Sequence, residues 1–168
     1  MSGRRPVRAL VMADTHIGPG ARPALPDVVW EMVAEADVVL HAGDITSAAF
    51  LDRLEAAATT HAVLGNNDHS LVGRVPETCQ LELGGVQVAL VHDAGPKLGR
   101  EPRLHRRFPD AQLVVFGHSH IPLDAEGIDG QRLFNPGSPT TRRRQPHHTV
   151  GLLELDGGRV TRHRIRVV

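Results

Sequence analysis

The chain predicts an α/β domain built on two packed sheets. Its first 65 residues alternate compact apolar runs with segments of helical spacing, which is the β-α-β-α-β order of a parallel sheet with right-handed crossovers. Its later part holds short alternating runs joined by Gly-Gly pairs, a hairpin signal. Polar clusters rich in Asp, Asn and His follow the apolar runs.

The elements follow in order. "VRALVMA" (7–13) is a compact, β-branched run ending at a polar turn and reads as a buried strand. "PDVVWEMVAEA" (26–36) repeats apolar residues at Val29, Met32, Val33 and Ala36, which is helical spacing, and Pro26 suits a first turn. "DVVLHAG" (37–43) is a second strand. "TSAAFLDRLEAAA" (46–58) opens on capping residues and sets Phe50, Leu54 and Ala57 on one face of a helix. "HAVLG" (61–65) is a third strand. "CQLELGGVQVALVH" (79–92) is a hairpin turning at Gly84-Gly85. A short basic helix at 101–107 leads to the strand "QLVVFG" (112–117). The remainder reads as antiparallel, with strands near 121–126 and 131–134 and a last hairpin turning at Asp156-Gly157-Gly158. No repeat, low-complexity segment or linker divides the chain, so residues 1–168 are expected to form one domain, long enough to bury a core without disulfide or metal staples.

Composition narrows the function classes. Lys+Arg and Asp+Glu balance at 19 each, so net charge gives no reason to expect a nucleic-acid or membrane partner. Cys79 is the sole cysteine; it can form no internal disulfide, and no C-x-x-C exists for zinc or redox work. The apolar run 9–13 is shorter than a secretory signal needs, and no stretch approaches the ~18 apolar residues of a membrane span. A cytoplasmic protein is therefore expected. Eleven histidines stand beside one cysteine and no tyrosine. Any bound metal would then meet imidazole and carboxylate, which suit Mn, Fe, Zn or Ni.

Five clusters each follow a strand: Asp14-Thr15-His16, Gly43-Asp44, Gly65-Asn66-Asn67-Asp68, His92-Asp93 and Gly117-His118-Ser119-His120. Ligands of open α/β sheets bind beyond the carboxyl ends of the strands, so all five can converge on one edge. Taken singly each has a plain reading as a turn, since Asn and Asp bond their own main chain. The H-x-H pair is more specific, because alternate residues of extended chain point the same way. Together, Asp14, Asp44, His16, His92, His118 and His120 with one amide oxygen supply what two divalent ions roughly 3.5–4 Å apart require. The reaction such a set suits is hydrolysis of a phosphate ester, by in-line attack of a hydroxide held between the ions.

At these residues the sequence resembles the calcineurin-like metallophosphoesterase superfamily, and within it the small single-domain phosphodiesterases of the YfcE type. The motifs D-x-H, G-D, G-N-x-D/E, H and G-H-x-H appear as "DTHIG", "HAGDI", "GNND", "VHD" and "GHSH", and "NPGS" (135–138) is also similar. The resemblance spans residues 14 to 138. It implies a four-layer α/β/β/α sandwich and two divalent metal ions, manganese first, with iron, zinc or nickel as alternatives. It places Asp14, His16 and His120 on one ion and Asn66, His92 and His118 on the other, with Asp44 bridging. Asp44, Asn66 and His92 are also the residues it implies for the catalytic step. His41, Asn67, Asp68, Arg142 and Arg143 remain as supporting or substrate-contacting candidates. The substrate expected is a small phosphodiester or nucleotide-like molecule, without stable nucleic-acid binding, and subgroup members often form homo-oligomers.

Two positions depart from the pattern. Many relatives carry His at the third position of G-N-x-D/E as a proton donor to the leaving group; here Asn67 has no proton to give. Loss of a general acid costs ~10²–10⁴-fold and least for acidic leaving groups, so activated diesters should turn over better than alkyl monoesters. Asp93 stands where Gly usually follows the histidine, and its carboxylate bears on the second ion or on anionic substrates. The basic run "TTRRRQPHH" (140–148) is a solvated loop or one that draws in a phosphate; no aromatic platform accompanies it for nucleic acid. His69 is the one nearby candidate for a substitute acid, and it is not expected to serve as one. Gly18-Pro19-Gly20 is a loop and no Walker-type phosphate loop occurs. Against the enzyme stands a non-catalytic scaffold like the retromer subunit, which has this fold with a degraded site; here the ligand set is complete. An amidohydrolase barrel needs ~200 residues or more and does not fit.

Overall fold

Alternation along the first strand sets the layers of the molecule. In β1 (Val7–Met12), Ala9 and Val11 face one core while Leu10 and Met12 face another, as the two-residue period of a strand requires. The computed structural model describes residues 5–20 and 22–168; the basic start of the chain, residues 1–4, lies outside them. β1 pairs in parallel with β2 (Val38–His41), and β2 with β3 (Thr60–Ala62). β9 (Thr149–Asp156) lies antiparallel on the other side of β1, and β10 (Arg159–Val167) antiparallel on β9. The first sheet thus runs β10-β9-β1-β2-β3.

The second sheet runs β4-β5-β6-β8-β7, from β4 (Thr78–Leu83), β5 (Val86–Val91), β6 (Leu113–Val115), β7 (Leu123–Glu126) and β8 (Arg132–Asn135). Its opening hairpin turns where expected: Leu83 pairs Val86 across Gly84 and Gly85, whose φ values of 58° and 80° suit a primed two-residue turn. The sheets pack face to face through Ala9, Val11, Leu40, Leu153 and Leu155 from one and Val88, Leu90, Leu113, Val115 and Phe134 from the other.

Helices cover the outer faces. α1 (Asp27–Glu35) and α2 (Ala48–Ala57) place Val29, Val33, Phe50, Leu51 and Leu54 on Leu10, Met12 and Val39 of the first sheet. Ser47 caps α2, its hydroxyl accepting the Phe50 N–H at 3.3 Å. Pro26 precedes α1 as its cap rather than lying in its first turn. α3 (Arg100–Arg107) sets Leu104, with Phe108 just beyond it, against Ala89, Val91, Val114 and Phe116. The order helix, sheet, sheet, helix is the four-layer α/β/β/α sandwich of two mixed sheets. No described helix is long and apolar enough to cross a membrane.

One part of the predicted topology is corrected. The chain after β6 is not uniformly antiparallel: β7 and β8 pair antiparallel, but β6 pairs parallel with both β5 and β8. β7 takes the sheet edge, and the turn at 128–130 sends β8 back between β7 and β6. Alternation is the same in both pairings, so the residues could not show it. Cys79 is half-buried on the edge strand β4.

Candidate metal centre

Parallel strands of both sheets run out toward one place. Asp14 and His16 follow β1, Asp44 follows β2, Asn66 follows β3, His92 follows β5, and His118 and His120 follow β6. Asp14, His16, Asp44, His118 and His120 adopt left-handed φ values between 46° and 68°, a conformation that non-glycine residues keep only where the surroundings impose it. Close approach needs Gly65, where a Cβ would stand 2.1 Å from the Asp44 Oδ1.

The side chains meet in two overlapping groups. Ligand-type atoms of Asp14, His16 and His120 lie within 4.8 Å of one another, and so do those of Asp14, Asp44 and His92. Asp44 Oδ2 stands 3.3 Å from His16 Nε2 and 3.5 Å from His92 Nε2, while Asp14 Oδ1 stands 3.5 Å from His120 Nε2 and 4.0 Å from His92 Nε2. Asn66 Oδ1 lies 3.0 Å from His92 Nε2 and 3.1 Å from His118 Nδ1. The structure therefore brings together all seven residues expected to hold metal.

Main-chain contacts fix which imidazole nitrogens face inward. His92 Nδ1 donates to the Ala42 carbonyl at 2.7 Å, and His120 Nδ1 donates to the Thr141 carbonyl. Both leave Nε2 toward the cluster, the usual support of a ligating imidazole. Asp14 Oδ2, His16 Nε2 and His120 Nε2 are buried and have no hydrogen-bond partner among the described residues. Buried polar atoms without partners are rare and costly, and a cation is the partner that this donor set, two carboxylates with imidazoles and an amide oxygen, would accept. The residues fit divalent metal.

The protonation states follow from burial and from neighbours. Burial pushes the Asp14 carboxyl up to about 7. Asp44 is also pushed up by burial, but contacts from His92 and Asn67 outweigh that and hold it well below the carboxylate range. Burial lowers His16, and lowers His120 to about 4. Burial opposes charge on His92 too, yet the Asp44 carboxylate raises it. His41 is fully buried beneath the cluster, with Nε2 3.0 Å from Thr15 Oγ1, and burial holds it neutral, at about 3.

The other candidates separate by what they touch. Asn67 clamps Asp44, its main-chain N–H on Oδ1 at 3.0 Å and its Nδ2 on Oδ2 at 2.8 Å. Asp68 is buried and accepts the N–H groups of Asp44, Thr46 and Gly65. Arg143 is exposed and imposes its positive charge on Asp14, His16 and His120, whereas the Arg142 guanidinium donates to the Gln145 carbonyl. Asp93 is exposed and accepts the Gly95 N–H in its own loop. His69 is exposed on the 3₁₀ turn His69–Leu71 and makes no hydrogen bond to these residues.

Sequence reasoning missed the strap that holds the site. Ser138 Oγ donates to the Asp14 carbonyl and accepts the N–H of Thr140 and Thr141. Thr140 Oγ1 donates to the Thr15 carbonyl, and Asn135 Nδ2 to the Gly117 carbonyl. The "NPGS" turn residues were visible as a motif, but their partners are backbone atoms remote in sequence.

Comparison with known proteins agrees with the geometry. Residues 7–158 match the calcineurin-like phosphoesterase superfamily domain. A probable metallophosphoesterase of Methanothermobacter thermautotrophicus is 32% identical over 158 residues, covering 93% of this chain and 90% of that protein. Among solved structures, Vacuolar Protein Sorting 29 from Cryptosporidium parvum matches with a TM-score of 0.79 at 21% identity, over 98% of both chains. A novel archaeal phosphodiesterase matches with a TM-score of 0.71 at 20% identity, over 96% of this chain and 100% of that one. At those identities the last two likenesses concern the fold alone. The family match covers most of the chain: it belongs to the calcineurin-like phosphoesterase superfamily.

Proposed function

We propose that the protein is a dinuclear metal-dependent phosphodiesterase acting on small phosphodiesters or nucleotide-like molecules. The observation that carries this is the set of buried, unpartnered atoms on Asp14, His16 and His120 beside a second convergent set on Asn66, His92 and His118. Asp44 is the residue to share two ions, since its Oδ2 is nearer to an imidazole of each set than the Asp14 Oδ1 is. Bound ions of this kind make a nucleophile of water at neutral pH and offset charge on phosphoryl oxygens. Manganese is the first choice, with iron, zinc or nickel as alternatives.

The protein's own residues set orientation and limits. His92 and His120 are oriented by the Ala42 and Thr141 carbonyls, and Asn67 fixes the Asp44 carboxylate. The Arg143 charge draws an anionic phosphate toward the cluster. Because Asn67 has no proton to give the departing oxygen, good leaving groups are favoured. The archaeal phosphodiesterase shows that this fold can carry such a reaction, though the likeness is one of fold. Likeness to Vps29 is one of fold, and the complete donor set favours the enzyme over a scaffold.

The test is to strip the protein with chelator, reload it with Mn²⁺, and time hydrolysis of bis-p-nitrophenyl phosphate beside the monoester, with His120→Ala as control. Metal-dependent turnover that prefers the diester and vanishes in the variant is expected. Loss of both turnover and metal binding would leave the scaffold.

A further inference from the structure

We propose that the free edge of β10 is a docking site for an extended acidic peptide, which adds a strand to the first sheet and sets its acidic side chains against Arg162, Arg164 and Arg166. β10 ends the sheet order and pairs with β9 alone among the described strands. Its outward N–H and C=O groups are therefore open to another strand.

The side chains along that edge select the strand. Arg162, Arg164 and Arg166 stand opposite Glu154, Leu152 and Val150, so they share one face at alternate positions. They border a groove of about 320 Å³ whose floor includes Leu10, Met32, Ala36 and Leu152. Arg162 is matched by Glu154 at 3.2 Å. Arg164 and Arg166 are exposed and make no side-chain hydrogen bond or ion pair among the described residues. On the opposite face Ile165 packs toward the core and His163 meets Asp124 of β7, while Val167 at the end of the strand is exposed.

This arrangement decides among occupants. A second copy pairing antiparallel about Arg164 would set Arg162 against the copy's Arg166, and like charges facing across a ladder destabilise it. Bound nucleic acid would want aromatic side chains for its bases, and none of the described residues that line the groove is aromatic. A strand with Glu or Asp at alternate positions meets the arginines at the same two-residue repeat, about 6.6 Å, and gains main-chain hydrogen bonds along the edge. The site lies apart from the metal centre and does not depend on the proposed reaction.

The experiment uses the full chain and a labelled peptide with the repeat Glu-Val, beside its Lys-Val counterpart and a short oligothymidylate. Fluorescence anisotropy is expected to show binding of the Glu-Val peptide alone. Amide exchange is expected to slow in 159–167 when it is bound. The double variant R164E/R166E should weaken it about tenfold or more while keeping the metal-dependent turnover of the parent, or its thermal melting point if the parent has no turnover. Equal binding of the Lys-Val peptide or the oligothymidylate, no change of exchange in β10, or self-association through β10 would each overturn the proposal.

Discussion

Both oxygens of Asp68 are engaged by main-chain N–H groups. Its Oδ2 accepts the N–H of Asp44 at 2.9 Å and of Gly65 at 2.7 Å, and its Oδ1 accepts that of Thr46 at 2.7 Å. One buried carboxylate thus ties the loop after β2 to the loop after β3, and so holds Asp44 near Asn66. Hydrogen bonds to a charged acceptor are among the stronger ones, and donors left buried without a partner cost more than the bond contributes. Asp68→Ala should lower stability by about 3 kcal/mol, read by urea denaturation, and should weaken metal binding because the two loops lose register. Unchanged stability would mean that the loops hold themselves. Asn67 acts differently, on the Asp44 carboxylate itself. Asn67→Ala should lower metal affinity by ~10–100-fold, as loss of a partner behind a ligand does, while stability of the metal-free protein changes little; calorimetric titration with Mn²⁺ measures it.

At the scale of elements, the strap 135–141 repeats this logic over a longer reach. Asn135 ends β8, and its amide donates to the Gly117 carbonyl, while Ser138 and Thr140 donate to the carbonyls of Asp14 and Thr15. Ser138→Ala frees the Asp14 carbonyl and two N–H groups at once. The expected cost is about 1–3 kcal/mol, with faster amide exchange at Thr140 and Thr141; exchange as slow as in the parent would show that the strap is held elsewhere. These contacts also mark the boundary of what the residues disclosed. The clusters at 14–16, 43–44, 65–68, 92–93 and 117–120 were legible because each follows an apolar run that could only be a strand, and strand ends converge. Ser138 and Thr140 gave no such sign, since their partners are carbonyls more than a hundred positions away that any residue would supply. The parallel pairing of β6 with β8 was hidden for another reason: period-two alternation is blind to strand direction.

At the scale of the whole molecule, the buried cluster couples stability to pH and to metal. In the metal-free protein His41 sits at about 3 and His120 at about 4, and His16 is lowered as well, each from an ordinary value of 6.5. Their folded values lie below their unfolded ones. The stability they confer is therefore full above pH 6.5 and lost as pH falls, because the unfolded chain takes up protons that the folded one refuses. Asp14 opposes them: raised to about 7 from 3.8, it holds a proton in the folded state alone across pH 4–7. Asp37 and Asp44, both lowered, stay charged in either state there, and His92, raised, stays protonated in both below 6.5. Three histidines against one carboxyl leave the unfolded state with more protons. Stability of the chelated protein should then fall on the order of 1–3 kcal/mol per pH unit between pH 6.5 and 4.5, read as the urea midpoint. Bound Mn²⁺ must displace the protons that the raised Asp14 carboxyl and His92 imidazole carry at low pH, so it should raise the midpoint most near pH 7.5 and least near pH 5. A chelated protein equally stable at pH 7 and pH 5 would mean that the histidines are not held neutral beneath the strand ends.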